Sequence, residues 1–339
     1  MERQTHITTP TGSWNALRFS WDGEREPAPD IHVALSSGEK PGEAVIVTAE
    51  PPPQTHASKD AIRYEHERRC TGALHITVTR TLDKPLIITH VLTKDAFHDT
   101  TLTIEPGVNC VIIERFTGDA RLASHYAELL VGEHAHVHYA QLQAMRGTIL
   151  TRKRGRLARA ATLTLFELNA TTGSTYSRAE TSLVGEGAGT KMLSIYLGDN
   201  DLIDYGATAT HDAAHTTSNL LTRGVLRGKS LAIYEGTLRI NNAPKSEAFQ
   251  QEDCLLMSPD AEVKASPRLY INHDDVRCSH AATASRIDDE KRFYLTSRGL
   301  TDDEAAKLLT RAFVWPVLEQ LDGAAAHHIT GMAEPILKR

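Results

Sequence analysis

The chain has 339 residues and a net charge of −6, and charged residues make up 24% of it. This length allows two domains, or one large all-β body with an appendage. The excess of acidic residues argues against a general polyanion-binding surface, so no nucleic-acid partner is expected. No stretch approaches the roughly 18 apolar residues that a membrane-spanning helix needs, so no membrane association is expected either.

The N-terminal sequence MERQTHITTPTGSW has neither the apolar core of a signal peptide nor the pattern of a transit peptide. The four cysteines lack CxxC spacing, which argues against a disulfide framework and against a zinc finger. They are Cys70, Cys110, Cys254 and Cys278. A cytoplasm with reduced thiols is therefore the expected compartment.

Residues 1–75 form a mixed region. One strand, AVIVTA, is predicted there, and Pro51, Pro52 and Pro53 should end it because proline cannot donate to a β-ladder. The segment HASKDAIRYEHERRC that follows is compatible with either a short helix or a polar linker.

From residue 76 to residue 287 the sequence predicts many short strands. Runs such as ALHITVTR, PLIITHVL and TLTLFELN are rich in Val, Ile, Thr and Leu and are separated by Gly, Asn and Asp. In EHAHVHYA, the residues at 135, 137 and 139 share one face and the histidines at 134, 136 and 138 share the other. Physical pattern alone leaves a sandwich, a barrel and a β-solenoid open.

Several features of this region suggest ligands, and each has a simpler interpretation. His134, His136 and His138 are spaced too widely for all three to close on one ion, so they are interpreted as solvent-facing. The basic cluster RKRGRLAR is interpreted as a solvated loop or edge, because no aromatic residues interleave with it. GEGAGTKM lacks the spacing and the βαβ context of a phosphate-binding loop, so no nucleotide is expected on this chain.

The hydrophobic period changes at about residue 288, where two helices are predicted. Asp288 is the expected N-cap of the first helix and Gly299 its C-terminal stop. Thr301 and Glu304 should form a capping box for the second, and Pro316 should kink or end it. The apolar stripe of this second helix is expected to be Ala305, Leu308, Leu309 and Phe313. After about Gly323, a frayed helix end and a loose terminus are expected.

The segment DDVRCSHAAT places Cys278 two residues before His280. Such a pair can bind a metal, act in nucleophilic chemistry or sit in a core. Cys110 and Cys254, in contrast, are interpreted as core residues. The chain has no GxSxG, HExxH or paired-carboxylate signature, so it is not expected to be an enzyme.

Four pieces of the C-terminal half resemble the SufB/SufD family of SUF iron–sulfur cluster assembly scaffolds, and the SufD branch most closely. They are RGVLRGKSLAIYEG, the run from Ala248 to Ile271, DDVRCSHAAT, and FYLTSRGLTDDEAAKLLTRAF. A weaker resemblance extends through TLDKPLIITHV and GVNCVIIERFTG, whereas residues 1–75 have no clear counterpart.

The resemblance implies a mainly β fold, with a right-handed parallel β-helix over residues 76–287 and a small helical domain over residues 288–339. It also implies two partners, a SufB-type subunit and a SufC-type ABC ATPase. By resemblance, the helical domain docks the ATPase through Phe293, Arg298, Gly299, Leu308 and Phe313. An iron–sulfur cluster or iron would be bound only transiently and shared with the partner.

In this family context Cys278 and His280 become candidate ligands for iron or a cluster, and Asp274 and Asp275 candidate interface residues. Cys278 as a buried spacer remains an alternative. Gln143 matches a glutamine of SufB proteins, but Ala144 and Met145 depart from the QNWY motif. An N-terminal CxxC-type region of many SufB proteins is absent as well, and both departures favour SufD or a short SufD-like paralogue. Ala281 stands where the family usually has glycine, so the local turn is expected to differ.

Two other functions remain open. In the first, two copies of this chain form a minimal homodimeric scaffold that carries its own cluster site and works with a SufC-type ATPase. The sparse cysteines argue against it. In the second, the chain is a solenoid enzyme acting on polysaccharide, which would need carboxylates clustered along a groove that the sequence does not reveal.

Overall fold

The computed structural model describes residues 3–7, 17–21, 30–38, 40, 42–50 and 61–337. A separate antiparallel pair is formed by β1 (Arg3–Ile7) and β2 (Leu17–Trp21). The other described strands all belong to two sheets of nine strands each.

The even-numbered strands from β6 to β20, together with β3, make the first sheet, and the odd-numbered strands from β5 to β19, together with β4, make the second. The first sheet contains β3 (Asp30–Leu35), β6 (Leu86–Leu92), β8 (Asn109–Gly118), β10 (His136–Met145), β12 (Thr162–Asn169), β14 (Gly189–Asp199), β16 (Thr217–Arg227), β18 (Ser246–Leu256) and β20 (Val276–Arg286). The second contains β4 (Val45–Glu50), β5 (Gly72–Val78), β7 (Ala96–Ile104), β9 (Leu122–Val131), β11 (Thr148–Leu157), β13 (Thr175–Leu183), β15 (Leu202–His211), β17 (Leu231–Ile240) and β19 (Glu262–Ile271).

Successive strands alternate between the two sheets, and each strand pairs in parallel with the strand two positions further along the chain. This connectivity is a parallel β-solenoid, which confirms the predicted fold class. Only the first strands differ, because β3 and β4 pair antiparallel with β6 and β5. The predicted strand AVIVTA is β4, and the described part of the ambiguous segment after it forms a helix, α1 (Ala61–Arg69). The three prolines that were predicted to end the strand lie outside the described residues.

The interior of the solenoid lies between the two sheets. As predicted from the alternation, Ala135, Val137 and Tyr139 are buried there, at 0–1% exposure. His134 and His136 are exposed on the other face. Burial of such apolar faces contributes roughly 25 cal/mol per Å², so the stacked coils stabilise one another.

One corner of the solenoid repeats in coil after coil, and its backbone adopts a left-handed conformation each time. The residues with positive φ at this corner are Gly107, His134, Ala160, Gly187, His215 and Lys245. The N–H of each donates to a carbonyl of the next coil, for example from His134 to Arg159 at 3.0 Å and from Lys245 to Asp275 at 2.6 Å. GEGAGTKM contributes Gly187 to this corner and leads into a strand rather than a helix.

Three helices follow the solenoid: α2 (Asp289–Ser297), α3 (Asp302–Leu318) and α4 (Gly323–Leu337). The predicted caps are confirmed. The Asp288 side chain accepts from the first turn of α2, and Thr301 with Glu304 forms a capping box on α3. Gly299 has a φ of 96°, in the left-handed region that favours glycine. Helix α3 continues through Pro316 and ends two residues later, at Leu318.

Helices α3 and α4 pack on the outer face of the first sheet, against β10, β14 and β16. The predicted stripe on α3 was wrong in part, because Leu308 is 46% exposed. The buried positions of α3 are Ala305, Thr310, Val314, Val317 and Leu318.

The prediction of a loose terminus after Gly323 was also wrong. Residues 323–337 form the regular helix α4 instead. Ala325, Ile329 and Ala333 of this helix are at most 1% exposed against the sheet. The apolar residues of this segment are therefore spaced to pack one face of a helix on the sheet.

The interpretation of RKRGRLAR as a solvated loop or edge was wrong as well. Most of this segment lies in β11, which pairs with β9 on one side and β13 on the other. Its Lys153 side chain is completely buried. None of the helices in the described part of the chain has the length and apolarity needed to span a bilayer.

Candidate functional site

Strand β20 ends the first sheet and leaves one edge unpaired among the described residues. Cys278 and His280 both lie in this strand, two residues apart, so their side chains share a face as predicted. Cys278 is paired with Ala248 and His280 with Gln250. Because Ala248 and Gln250 are buried interior positions, Cys278 and His280 occupy interior positions of the last coil.

The two candidate ligands differ in exposure. Cys278 is half-buried and packs against the interior core, whereas His280 is exposed, because no further coil covers this end. Burial raises the pKa of the Cys278 thiol, and a hydrogen bond with the Ala248 backbone opposes that rise. The free thiol is therefore protonated at neutral pH, and a bound iron ion would have to displace the proton.

Neither residue belongs to a group of three side chains close enough to surround a metal ion within the described chain. Thiolate and imidazole are both ligands for iron, so Cys278 and His280 offer part of a coordination shell. Two side chains are too few to complete that shell.

Asp274 and Asp275 lie in the turn before β20, and both are exposed. They line a shallow groove with Lys245, Glu247 and Arg277. The Asp275 carbonyl accepts the corner hydrogen bond from Lys245, so its position is fixed by the backbone of the preceding coil. These two carboxylates therefore lie in the turn that leads into β20. Cys278 and His280 lie further along this strand, at its interior positions.

The five candidate docking residues do not form one uniform surface. Phe293 is 74% exposed and Leu308 is 46% exposed, and Arg298 and Gly299 are exposed between them. Phe313 differs, because it packs against the sheet core and its carbonyl accepts a 2.5 Å hydrogen bond from Arg223. Phe313 therefore anchors α3 to the solenoid.

A row of polar side chains crosses the interior of the solenoid and was missed from the sequence. Its members occupy successive positions across the first sheet and are at most 1% exposed: Glu114, Gln141, Glu167, Ser194, Thr222 and Glu252. The next position is Ala282 on β20, two residues beyond His280. The row therefore connects the middle of the solenoid with its open end.

Lys153 neutralises part of this row from the second sheet. Its ammonium donates to Glu167 Oε2 at 2.7 Å and to Ser177 Oγ at 2.8 Å. Burial lowers the pKa of Lys153, while the neighbouring Glu167 carboxylate raises it. The sequence signal for this row was the continuation of the alternation beyond Tyr139, which places Gln141 and Gln143 on the same inward face.

Cys110 and Cys254 are buried, as predicted, and burial raises the pKa of each thiol to about 12. His138 is half-buried and lies 3.3 Å from Asp322 at the start of α4. The histidine row at 134, 136 and 138 does not form a metal-ligand group. Within the described residues, two other groups have ligand atoms close enough together to hold a metal ion: His90 with His98 and His125, and His66 with Cys70 and Asp99.

The family model described as SUF system FeS cluster assembly, SufBD core domain, matches residues 88–313, which is more than half of the chain. The match begins at β6 and ends in α3, so it includes the open end with Cys278 and His280.

Individual relatives agree with this match. The chain is 33% identical over 204 residues to an iron–sulfur cluster assembly SufBD family protein of Mycobacterium tuberculosis, covering 59% of this chain and 24% of the relative. It is 29% identical over 286 residues to the iron–sulfur cluster assembly protein SufD of Escherichia coli, covering 77% of this chain and 67% of that protein. It is 26% identical over 233 residues to a SufBD family protein of Staphylococcus aureus, covering 66% and 50%. The chain thus spans about a quarter of the mycobacterial relative.

Proposed function

The chain belongs to the SufBD family of iron–sulfur cluster assembly proteins, and we propose that it acts as a SufD-like scaffold subunit beside a SufB-type subunit and a SufC-type ATPase. In this proposal it performs no catalysis by itself. It presents ligands for iron or a nascent cluster at the open end of its solenoid, and the partner subunit supplies the others.

The observation that carries the proposal is the position of Cys278 and His280. Both occupy interior positions of a coil that no further coil covers, so a second molecule can reach them. Together they offer one sulfur and one imidazole, which is too few to enclose an iron ion. This count supports a site shared between two subunits.

The test is anaerobic co-purification of the chain with a SufB-type subunit and a SufC-type ATPase, followed by measurement of iron and acid-labile sulfide. We expect His280→Ala to leave the complex intact and to lower both contents severalfold. The matched control is His136→Ala, which removes an exposed histidine from the outer face of the same sheet and should leave both contents unchanged.

Each outcome decides between the alternatives. Unchanged cluster content in His280→Ala would show that the imidazole is structural. Failure of the wild-type chain to form the complex would contradict the heteromeric proposal. A cluster-loaded homodimer of the wild-type chain would instead support the minimal scaffold.

We also propose that the ATPase docks on α2 and the first half of α3. Phe293 and Leu308 are apolar side chains that the rest of the chain leaves exposed, and Arg298 lies between them in the sequence. Exposed aromatic and aliphatic side chains of this kind are typical anchors of protein interfaces.

Phe293→Ala and Leu308→Ala should each reduce the ATPase recovered with the chain without changing its thermal unfolding. Glu319→Ala, an exposed change at the other end of α3, is the control. Phe313→Ala should instead lower thermal stability, because Phe313 packs on the sheet. Equal ATPase recovery from all the variants would contradict this docking surface.

A further inference from the structure

Three imidazoles and one carboxylate meet in the interior at the early end of the solenoid. His90 lies on β6, His98 on β7, Glu114 on β8 and His125 on β9. The ring centre of His98 lies 4.5 Å from that of His90 and 4.6 Å from that of His125. The ring centres of His90 and His125 are 5.2 Å apart. All four side chains are at most 3% exposed. Separate strands of three successive coils therefore place four potential ligands side by side.

The hydrogen bonds of this group are incomplete. Nε2 of His90 donates to Glu114 Oε1 at 2.7 Å, and Nε2 of His125 lies 3.0 Å from Thr100 Oγ1 and 3.2 Å from the same Glu114 oxygen. Nδ1 of His90 and both ring nitrogens of His98 have no hydrogen-bond partner among the described residues. A buried nitrogen left without a partner destabilises the folded chain, so three of them call for an additional binding partner.

The charge of the group is also incomplete. Glu114 is completely buried and accepts hydrogen bonds from Tyr139 and Gln141, which are neutral. The ammonium of Lys153, the buried amine of this interior, bonds directly to Glu167 instead. A buried carboxylate is stabilised by a nearby cation, and the three imidazoles beside Glu114 offer ligands for one.

We propose that His90, His98 and His125 bind one divalent transition-metal ion, with Glu114 orienting the imidazoles. One nitrogen from each ring lies within 4.8 Å of the other two, so the three nitrogens are close enough to share one ion. Imidazole nitrogen is a preferred ligand of Zn²⁺ and of Fe²⁺. The bond from His90 to Glu114 is the carboxylate–histidine arrangement that commonly supports a metal-bound imidazole.

The proposed ion is distinct from any cluster assembled at β20. The histidine group lies at the opposite end of the sheets from Cys278 and His280 and is closed to solvent. The ion would tie together β6, β7 and β9 and remain with the folded chain. This inference does not depend on the proposed scaffold function.

The neighbouring group of His66, Cys70 and Asp99 provides an internal comparison. Both ring nitrogens of His66 already have partners, Ser124 at 2.7 Å and Asp99 at 2.7 Å. That group also contains a sulfur atom, whereas the three-histidine group offers only nitrogen and oxygen. A sulfur atom among the neighbours of a bound metal would therefore point to the group with Cys70, and its absence would point to the three-histidine group.

The test is the metal content of the chain produced in media supplemented with zinc or with iron, and of the chain refolded with Zn²⁺ or Co²⁺. We expect one ion per wild-type chain, with X-ray absorption showing nitrogen and oxygen neighbours and no sulfur. His98→Gln, which keeps the volume of the side chain, should reduce the content to near zero. If a chelator removes the ion while the wild-type chain is partly unfolded, the melting temperature of the chain should fall.

Two variants serve as controls. His211→Gln changes another buried histidine of the interior, whose two nitrogens are satisfied by Thr216 and Ser218 at 2.8 Å each. Cys70→Ser removes the sulfur of the neighbouring group. Both should retain the ion.

Three results would overturn the proposal: a metal-free wild-type chain after refolding with Zn²⁺, equal metal content in His98→Gln and wild type, or sulfur among the metal's neighbours. If His98→Gln does not fold, the melting temperature of the wild-type chain, measured with and without Zn²⁺, tests the site instead. A wild-type melting temperature that is the same with and without Zn²⁺ then contradicts the site.

Discussion

The ammonium group of Lys153 is enclosed in the interior and bonds to Glu167, Ser177, Thr151 and Gln141. Removing one partner of such a buried ion pair leaves an uncompensated charge, which costs about 3–5 kcal/mol. We expect Lys153→Met to destabilise the chain by this amount. Lys153→Met combined with Glu167→Gln should recover part of the loss, because the remaining side chains are neutral.

Urea unfolding of the two single variants and the double variant measures this coupling. Additive losses would show that the two side chains do not act as a pair. Arg154→Met is a suitable control, because Arg154 of the same strand is exposed and its ion pair with Glu180 is on the surface.

Glu252 shows a second consequence of burial at the scale of one residue. Burial raises the pKa of its carboxyl from 4.5 to about 8, despite the 3.0 Å hydrogen bond that Tyr196 donates. Between these two values the unfolded chain loses a proton that the folded chain keeps. The contribution of Glu252 to stability is therefore present at low pH and is lost as the pH rises through about 8.

Glu252→Gln should remove this dependence, so the variant should gain stability relative to wild type as the pH is raised from 5 to 9. A tenfold change in proton affinity corresponds to about 1.4 kcal/mol, so the difference should reach a few kcal/mol. Urea unfolding at several pH values measures it. A constant difference between variant and wild type would contradict the raised pKa.

Sequence reasoning succeeded for residues whose role is local. The caps at Asp288 and Thr301 depend on contacts within four residues, and the burial of Cys110 and Cys254 follows from their apolar strands. It failed for Lys153, because composition alone cannot show that a lysine in a basic run points inward. The partner of Lys153, Glu167, comes from another strand.

At the scale of one element, α4 depends on the sheet beneath it. Ile329 is completely buried against the sheet, and its loss creates a cavity. We expect Ile329→Ala to cost about 2–5 kcal/mol and to increase hydrogen exchange of α4 and of the β10 face that it covers. His327→Ala, an exposed change in the same helix, should shift stability by less than about 0.5 kcal/mol.

The same helix shows why a segment with clear periodicity was predicted to be loose. AAAHHITGMAEPILKR contains Gly331 and Pro335, which both lower intrinsic helix propensity. The packing of Ala325, Ile329 and Ala333 against strands that are distant in sequence outweighs this preference. Unchanged exchange of α4 in Ile329→Ala would contradict that explanation.

At the scale of the whole molecule, the solenoid ends in two strands, β19 and β20, whose outer edges pair with no other strand of the described residues. Ile271 sits at an interior position opposite the buried Ile240 but is 42% exposed, because no coil follows. Exposed apolar edges promote strand addition, so we expect the isolated chain to self-associate as its concentration rises. Ile271→Lys should weaken this association, and Phe293→Lys, on α2, should not.

Sedimentation of the isolated chain and of both variants measures this association. A wild-type chain that remains monomeric at high concentration would contradict the expectation. Equal association of wild type and Ile271→Lys would place the contact elsewhere.

The solenoid itself was predicted through family resemblance, since residue patterns alone left three β architectures open. The structure shows the reason. The stacked corner returns at irregular intervals, and residues other than glycine fill it at His134, Ala160, His215 and Lys245. A repeat that lacks a fixed period and a fixed residue type leaves little trace in one sequence.

The packing of α3 and α4 across the first sheet also constrains the order of events during synthesis. Ile113 and Leu142, on strands β8 and β10, face these helices, which are made long after those strands. While the ribosome is still translating the later coils, this apolar surface has no cover from its own chain. The nascent protein therefore exposes an apolar surface while its later coils are being synthesised. A chaperone would be of greatest use during this period.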